Sequence, residues 1–131
     1  PHETTYVFIS DPEVEKVILW EMKMCEEVCG EKISREDVLD VWTKDTYVSY
    51  EVMEVDEKGD ATYDYFCQGY ESSGKARAAA WNFHNDNREK RIMEIRKCVH
   101  VGGCRCVQKV GSDCWYGITL SVEVIDTYNM S

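Results

Sequence analysis

Cysteines offer the most chemistry in this 131-residue chain, which contains seven of them. They are Cys25, Cys29, Cys67, Cys98, Cys104, Cys106 and Cys114. This density in a small chain is typical of proteins that fold in an oxidising compartment and are held together by disulfides. We therefore interpret all seven as disulfide candidates and predict a secreted, extracellular protein. Because seven is odd, one thiol is left over from intrachain pairing, and no connectivity follows from the spacing.

Four of the cysteines and His100 fall within residues 98–114. Zinc takes four sulfur or nitrogen ligands, so a metal site and a redox thiol are alternatives to disulfides in this segment. However, only one residue separates Cys104 from Cys106, whereas zinc knuckles usually place two residues between ligands. We therefore predict structural disulfides here, and we predict no metal and no cofactor.

A histidine on the second half of the chain offers acid–base chemistry. His84 lies close in sequence to Arg88 and Glu89, which together supply a proton-transfer group and a cation for a phosphate. That set suits a small ribonuclease, although side chains on one helix need not converge, and a partly exposed helix histidine is the simpler interpretation. The chain lacks the Gly-x-Ser-x-Gly, Walker, His-Glu-x-x-His and EF-hand motifs. The sequence therefore favours a binding protein over an enzyme.

Tyrosines are concentrated on the central hairpin of the chain, at Tyr47, Tyr50, Tyr63 and Tyr65. Tyrosine rings give a large contact area at a low cost in conformational entropy and are enriched at protein interfaces. We predict that these four residues form a protein-binding surface, with a role in the sheet core as the alternative.

The elements that must position these residues follow from periodicity and capping signals. The predicted elements are a strand over 4–9, a helix from Pro12 to Gly30, a short helix over 38–42 after a capping box at 34–37, strands over 47–55 and 61–70, a helix over 75–99 with a break at 85–87, and strands over 104–110 and 116–124. This β-α-β-β-α-β-β order, with one short extra helix, predicts a single α+β domain over residues 1–131. We expect an antiparallel β-sheet with two main helices packed on one face, stabilised by disulfides.

Charge is distributed unevenly along the chain, whose formal net charge is −10. Residues 1–64 contain 18 acidic and 6 basic side chains, whereas residues 65–131 contain 7 and 9. We expect the two halves to attract each other in the fold; a basic face for an acidic partner is the alternative. The acidic total argues against nucleic-acid binding, and no apolar run is long enough to predict a membrane span.

The order of the elements and the cysteines on the first helix, the hairpin and the C-terminal third resemble small cysteine-rich secreted effectors and killer-toxin-like proteins of fungi. The resemblance implies secretion toward a host and a role as an avirulence or virulence factor, and it carries over no functional residue. The leading hypothesis is therefore an effector-like protein that binds a host target or receptor without catalysis. A small secreted hydrolase, such as a ribonuclease using His84, is the alternative. A membrane-active toxin is disfavoured by the acidic charge.

Overall fold

A computed structural model of the chain describes residues 6–63, 69–87, 91–103, 105–109, 111 and 113–130, with the backbone alone at 63, 84–87, 91 and 130. Within these residues the elements are β1 (Val7–Phe8), α1 (Pro12–Met24), a π-helical turn (Cys25–Cys29), α2 (Arg35–Lys44), β2 (Thr46–Val55), β3 (Ala61–Tyr63), α3 (Ser73–Asn87), β4 (Arg91–Val101), β5 (Cys106–Gln108) and β6 (Trp115–Met130). The described part of the chain is thus α+β, with three α-helices and six strands, which confirms the predicted class.

The strands form one sheet in the order β1-β6-β4-β2-β3, and β5 pairs with β6 beside this path. The β2–β3 and β5–β6 pairs are antiparallel, but β1 runs parallel to β6, with Val7 opposite Ile118. The sheet is therefore mixed, and the prediction of an antiparallel sheet was wrong. Only a short hairpin forces neighbouring strands to be antiparallel, and most of the chain separates β1 from β6.

The predicted helix over 75–99 was also wrong in its second half. The helix α3 ends at Asn87, and β4 follows over Arg91–Val101. Ile92, Ile95 and Val99 are spaced as on a helix, but a strand buried on both faces also produces closely spaced apolar residues. Met93 and Glu94 are both buried although they point to opposite faces of β4, as expected of an interior strand.

The first third of the chain folds as its capping signals predict. Asp11 accepts a hydrogen bond from the backbone N–H of Phe8 at 3.0 Å, and Pro12 opens α1. Ser34 and Asp37 form a reciprocal capping box at the start of α2, as the sequence predicted. Between the two helices, Gly30 adopts φ 72° and ends the π-helical turn.

The described residues group into two compact units. Unit 1 contains Val48–Val99 and Ser121–Ser131, and unit 2 contains Tyr6–Tyr47 and His100–Leu120. By sequence, these segments carry 12 acidic and 8 basic side chains in unit 1 and 12 and 7 in unit 2. Both units are therefore net acidic, because each combines a segment from the acidic half of the chain with one from the other half.

In unit 2, α1 and α2 pack together against one face of the sheet. The buried core residues are Val7, Val14, Ile18, Val38, Trp42, Val101, Val107 and Ile118. Arg105 lies over the Trp42 ring, with its guanidinium carbon 5.6 Å from the ring centroid, and pairs with Glu21 on α1. This ion pair joins a cation from the second half of the sequence to a carboxylate from the first half.

In unit 1, α3 packs on the sheet through small residues. Ala76 and Ala80 are fully buried against Val52, Met93 and Ile95, so the helix can approach the strands closely. Arg77 on α3 donates a hydrogen bond to Asp126 on β6 at 3.0 Å. The hydroxyl of Tyr128 donates to the same carboxylate at 2.9 Å.

Among the described residues, no helix is long and apolar enough to cross a membrane.

We expect Gly102→Ala to destabilise the protein by about 2 kcal/mol, because overpacking against backbone leaves no side chain that can move aside. A Cβ at Gly102 would overlap the backbone carbonyl group of Asp45. Urea unfolding measures the effect. The matched control is Gly74→Ala, where the nearest heavy atom to the new Cβ is Ser72 Oγ at 3.9 Å. Equal stability of the two variants would contradict the close packing of Gly102 against the backbone of Asp45.

We expect Asp126→Asn to make the free energy of unfolding less dependent on pH in the acid range. The hydrogen bond from Tyr128 and, to a smaller extent, that from Arg77 hold the pKa of Asp126 below the ordinary aspartate value of 3.8. The ionised carboxylate therefore stabilises the fold above that value, and this contribution is lost as the pH falls through the lowered pKa. Between about pH 6 and about pH 3, the wild type should lose more stability in urea unfolding than the variant. Glu123→Gln, which removes an exposed carboxylate from the same strand, is the control; an equally reduced pH dependence there would contradict the assignment.

Candidate binding surface

The sheet face of unit 2 that does not pack on α1 and α2 carries a set of aromatic side chains. Ile118 on β6 and Val101 on β4 point into the core. Because side chains alternate along a strand, their neighbours point to the opposite face. Those neighbours, together with the second residue of β2 and the first residue of β6, form what we call the aromatic surface: Tyr47, His100, Trp115, Gly117 and Thr119.

His100 is held in place on this surface from two directions. Its Nδ1 atom lies 3.2 Å from the hydroxyl oxygen of Thr119, and Thr119 is buried. Its ring also contacts the ring of Tyr47, with centroids 4.9 Å apart and planes tilted by 33°. The imidazole is therefore a fixed support for the tyrosine ring. The hydroxyl of Thr119 is a neutral partner, unlike the carboxylate that orients the histidine of a catalytic triad.

Tyr47 extends along the sheet from β2 toward β6. Its hydroxyl lies 4.0 Å from the position that a Cβ of Gly117 would occupy. The intervening strand is β4, which contributes His100 beneath the ring. The missing side chain of Gly117 therefore leaves room for the end of the tyrosine. Even so, Tyr47 remains 52% exposed, so much of its ring faces solvent.

Trp115 is the most exposed aromatic residue of this surface, at 67%. It begins β6 two residues before Gly117, on the same side of the strand and about 7 Å along it. Its partner across the β5–β6 ladder is Gln108. Tyrosine and tryptophan are the residues that contribute most to binding energy at protein interfaces. The surface thus presents two large rings, Tyr47 and Trp115, on one strand-built face.

The predicted tyrosine surface is only partly present in this arrangement. Tyr47 belongs to the aromatic surface, whereas Tyr50 lies on the other face of β2, half-buried against the core of unit 1. The backbone of Tyr50 is bridged to Tyr70 by hydrogen bonds of 2.9 and 2.7 Å. The side chain of Tyr63 and the whole of Tyr65 lie outside the described residues, so the structure does not group the four predicted residues into one site.

Sequence reasoning missed His100 and Trp115 as members of a binding surface. The signal for Trp115 was present in the alternation of the last strand, where Ile118 and Leu120 mark the core face. Trp115 lies an even number of residues from Gly117 and Thr119 and therefore points to the same face of the strand as they do. It is the one large apolar residue among these three. No comparable signal existed for His100, because residues 91–99 of β4 were predicted to be helical and His100 was not assigned to any element.

The catalytic alternative is not resolved by the described residues. The backbone of His84 lies on α3, but its side chain is outside what the structure describes, as are Arg88 and Glu89. A catalytic role for His84 therefore stays a prediction. Within the described residues, no three His, Cys, Asp or Glu side chains are grouped so that they could hold a metal ion.

The five cysteines that the structure describes do not form the predicted disulfide framework. Cys98 is buried on β4, Cys25 is half-buried, and Cys29, Cys106 and Cys114 are exposed. No disulfide joins these five, while Cys67 and Cys104 lie outside the described residues. The structure thus gives no support to stabilisation by disulfides. The fold of each unit is instead explained by the apolar cores described above.

Unit 1 contains a cavity of about 420 Å³ at the turn between β2 and β3. Its lining residues are Val55, Asp56, Glu57, Lys58, Gly59, Ile92, Glu94, Thr127 and Asn129. The Glu94 side chain is only 8% exposed and lies 3.5 Å from a guanidinium nitrogen of Arg96. This carboxylate is therefore paired with a cation on its own strand.

Comparison with known proteins does not identify a family or a function for this chain. No protein-family model, no curated protein and no solved structure matches the chain significantly.

We expect Thr119→Val to destabilise the protein by about 1 kcal/mol, because it removes a hydrogen-bond partner of the His100 ring while conserving shape. Urea unfolding measures the loss. Thr127→Val, an exposed position on the same strand, should change stability by less than about 0.5 kcal/mol. If Thr119→Val is as stable as Thr127→Val, the Thr119 hydroxyl does not hold the imidazole.

Proposed function

We propose that this protein acts by binding a partner protein through the aromatic surface of unit 2, without catalysing a reaction. One observation carries the proposal: Tyr47 and Trp115 are 52% and 67% exposed, on the sheet face opposite to the one that packs in the core with α1 and α2. Large exposed rings that share one face mark sites of interaction more often than scattered single residues do.

These two rings can supply a large part of the binding energy of an interface. Burying the exposed parts of one tyrosine and one tryptophan contributes on the order of 5 kcal/mol. Binding costs free energy wherever a mobile side chain must be ordered. Tyr47 is already supported by His100, so less of that cost falls on its ring. The surface is therefore prepared to act as the central anchor of an interface, with neighbouring polar residues as its rim.

We propose that the partner is met outside the producing cell, as a host target or receptor. Seven cysteines in a chain of this size support secretion, and disulfides formed after secretion remain part of the proposal. The net acidic sequence of both units disfavours nucleic acid and anionic lipid as partners. An avirulence or virulence role is the specific form that the resemblance to fungal effectors suggests.

We expect Trp115→Ala and Tyr47→Ala each to weaken partner binding by at least about thirtyfold, as is typical of interface hot spots. The matched control is Trp20→Ala, since Trp20 is 57% exposed in the same unit but lies on α1. Proteins from a host extract are first compared on immobilised wild type and all three variants. A protein that is retained by the wild type and Trp20→Ala, but lost from both surface variants, is then purified and its Kd is measured by titration.

Two outcomes would contradict the proposal. One is a purified partner that binds Trp115→Ala and Tyr47→Ala as tightly as the wild type while those variants remain folded by circular dichroism. The other is multiple-turnover cleavage of RNA that is abolished by His84→Ala and unaffected by Trp115→Ala, which would assign the function to the catalytic alternative.

A further inference from the structure

Two cysteines lie side by side at the end of the first helical segment of unit 2. The π-helical turn begins at Cys25 and ends at Cys29, and its five residues are Cys-Glu-Glu-Val-Cys. Besides burial, the Cys29 thiol is one of the groups that raise the pKa of the Cys25 thiol, in agreement with their positions at the two ends of one turn.

The π-helical turn brings Cys25 and Cys29 closer together than an α-helix would, which favours a bond between them. In a regular α-helix, residues four apart have Cβ atoms about 5–6 Å apart. A disulfide needs Cβ atoms about 3.5–4.5 Å apart, so an α-helix holds such a pair too far apart. A π-helical turn has more residues per turn and a smaller rise than an α-helix. It therefore shortens the separation of residues four apart, such as Cys25 and Cys29.

The surroundings of the pair allow reagents to reach it. Cys29 is exposed, Cys25 is half-buried, and no residue of the turn is buried. Gly30, which ends the turn at φ 72°, has no heavy atom within 4 Å of the position a Cβ would occupy. A new bond in this turn therefore disturbs no core packing, and the exposed sulfur of Cys29 is accessible to a small molecule.

We propose that Cys25 and Cys29 are a thiol–disulfide exchange site that takes low-molecular-weight disulfides of the glutathione class as its substrate. The Cys29 thiolate attacks one sulfur of the small disulfide, which forms a mixed disulfide and releases one small thiolate. The Cys25 thiolate then attacks the Cys29 sulfur, which closes the Cys25–Cys29 bond and releases the second small thiolate. The protein loses two electrons and two protons, and the small disulfide is reduced to two thiols.

The order of the two attacks follows from exposure and charge. Partial burial raises the pKa of Cys25, and the neighbouring Cys29 thiol and the carboxylates of Glu31 and Glu21 raise it further. A raised pKa reduces the thiolate fraction of Cys25 at neutral pH. Cys29 therefore meets the external disulfide first. Cys25 acts as the resolving thiol, because its attack occurs within one turn of backbone.

The test uses the full chain and an unusually favourable peptide. Trypsin cuts after Lys23 and Lys32, so both cysteines fall in one peptide, residues 24–32, with no other cysteine. The reduced protein is incubated with a mixture of oxidised and reduced glutathione, quenched with an alkylating reagent, digested and analysed by mass spectrometry. We expect most of the peptide to be lighter by two hydrogen atoms than its dithiol form and to carry no alkyl group. Addition of excess reduced glutathione should restore two alkylation sites.

The matched control keeps the number of thiols and moves one of them to the other side of the turn. The double variant Glu27→Cys, Cys29→Val places this thiol two residues after Cys25, where side chains of a helical turn do not face each other. We expect at least about tenfold less bridged peptide in this variant under the same mixture, because the disulfide geometry is no longer met. The proposal is overturned if the wild-type peptide keeps two alkylated thiols or two glutathione adducts, or if the shifted variant forms the bridge equally well.

Discussion

The packing of α1 and α2 on a single face of the sheet is the constraint from which the candidate site of unit 2 follows. Ile18, Trp42 and Ile118 commit that face to the core. Strand geometry then requires the intervening side chains to point the other way, so the position of Tyr47, His100 and Trp115 is not independent of the core. The aromatic surface is the face of the sheet opposite to the one that packs against α1 and α2.

Charged side chains contribute to the fold through individual ion pairs. The acidic and basic halves of the chain do not form separate acidic and basic regions, because each unit contains segments from both halves. Arg105 pairs with Glu21 and lies over Trp42, which places a cation from the second half on a helix from the first. The remaining charge is negative in both units. A partner is therefore best matched by a neutral or basic surface around the aromatic contacts.

Prediction from sequence succeeded where local signals determine structure and failed where distant contacts do. Pro12, Gly30 and the capping box at Ser34 mark helix ends through backbone chemistry within a few residues, and the structure places them as expected. Ile92 and Ile95 are spaced for either a helix or an interior strand, and only the neighbouring strands decide between the two. The same limit applies to the site: Trp115 could be assigned to the open face by parity, but its grouping with His100 depends on strand order.

The contact between Tyr47 and Gly117 also constrains how this chain can vary. The 4.0 Å between the tyrosine hydroxyl and the missing Cβ is ordinary van der Waals contact, so alanine would just fill the space at position 117. A larger side chain would displace the hydroxyl and tilt the ring away from His100. Positions 47 and 117, on different strands and seventy residues apart in sequence, are thus expected to change together in evolution, with a bulkier residue at one accompanied by a smaller residue at the other.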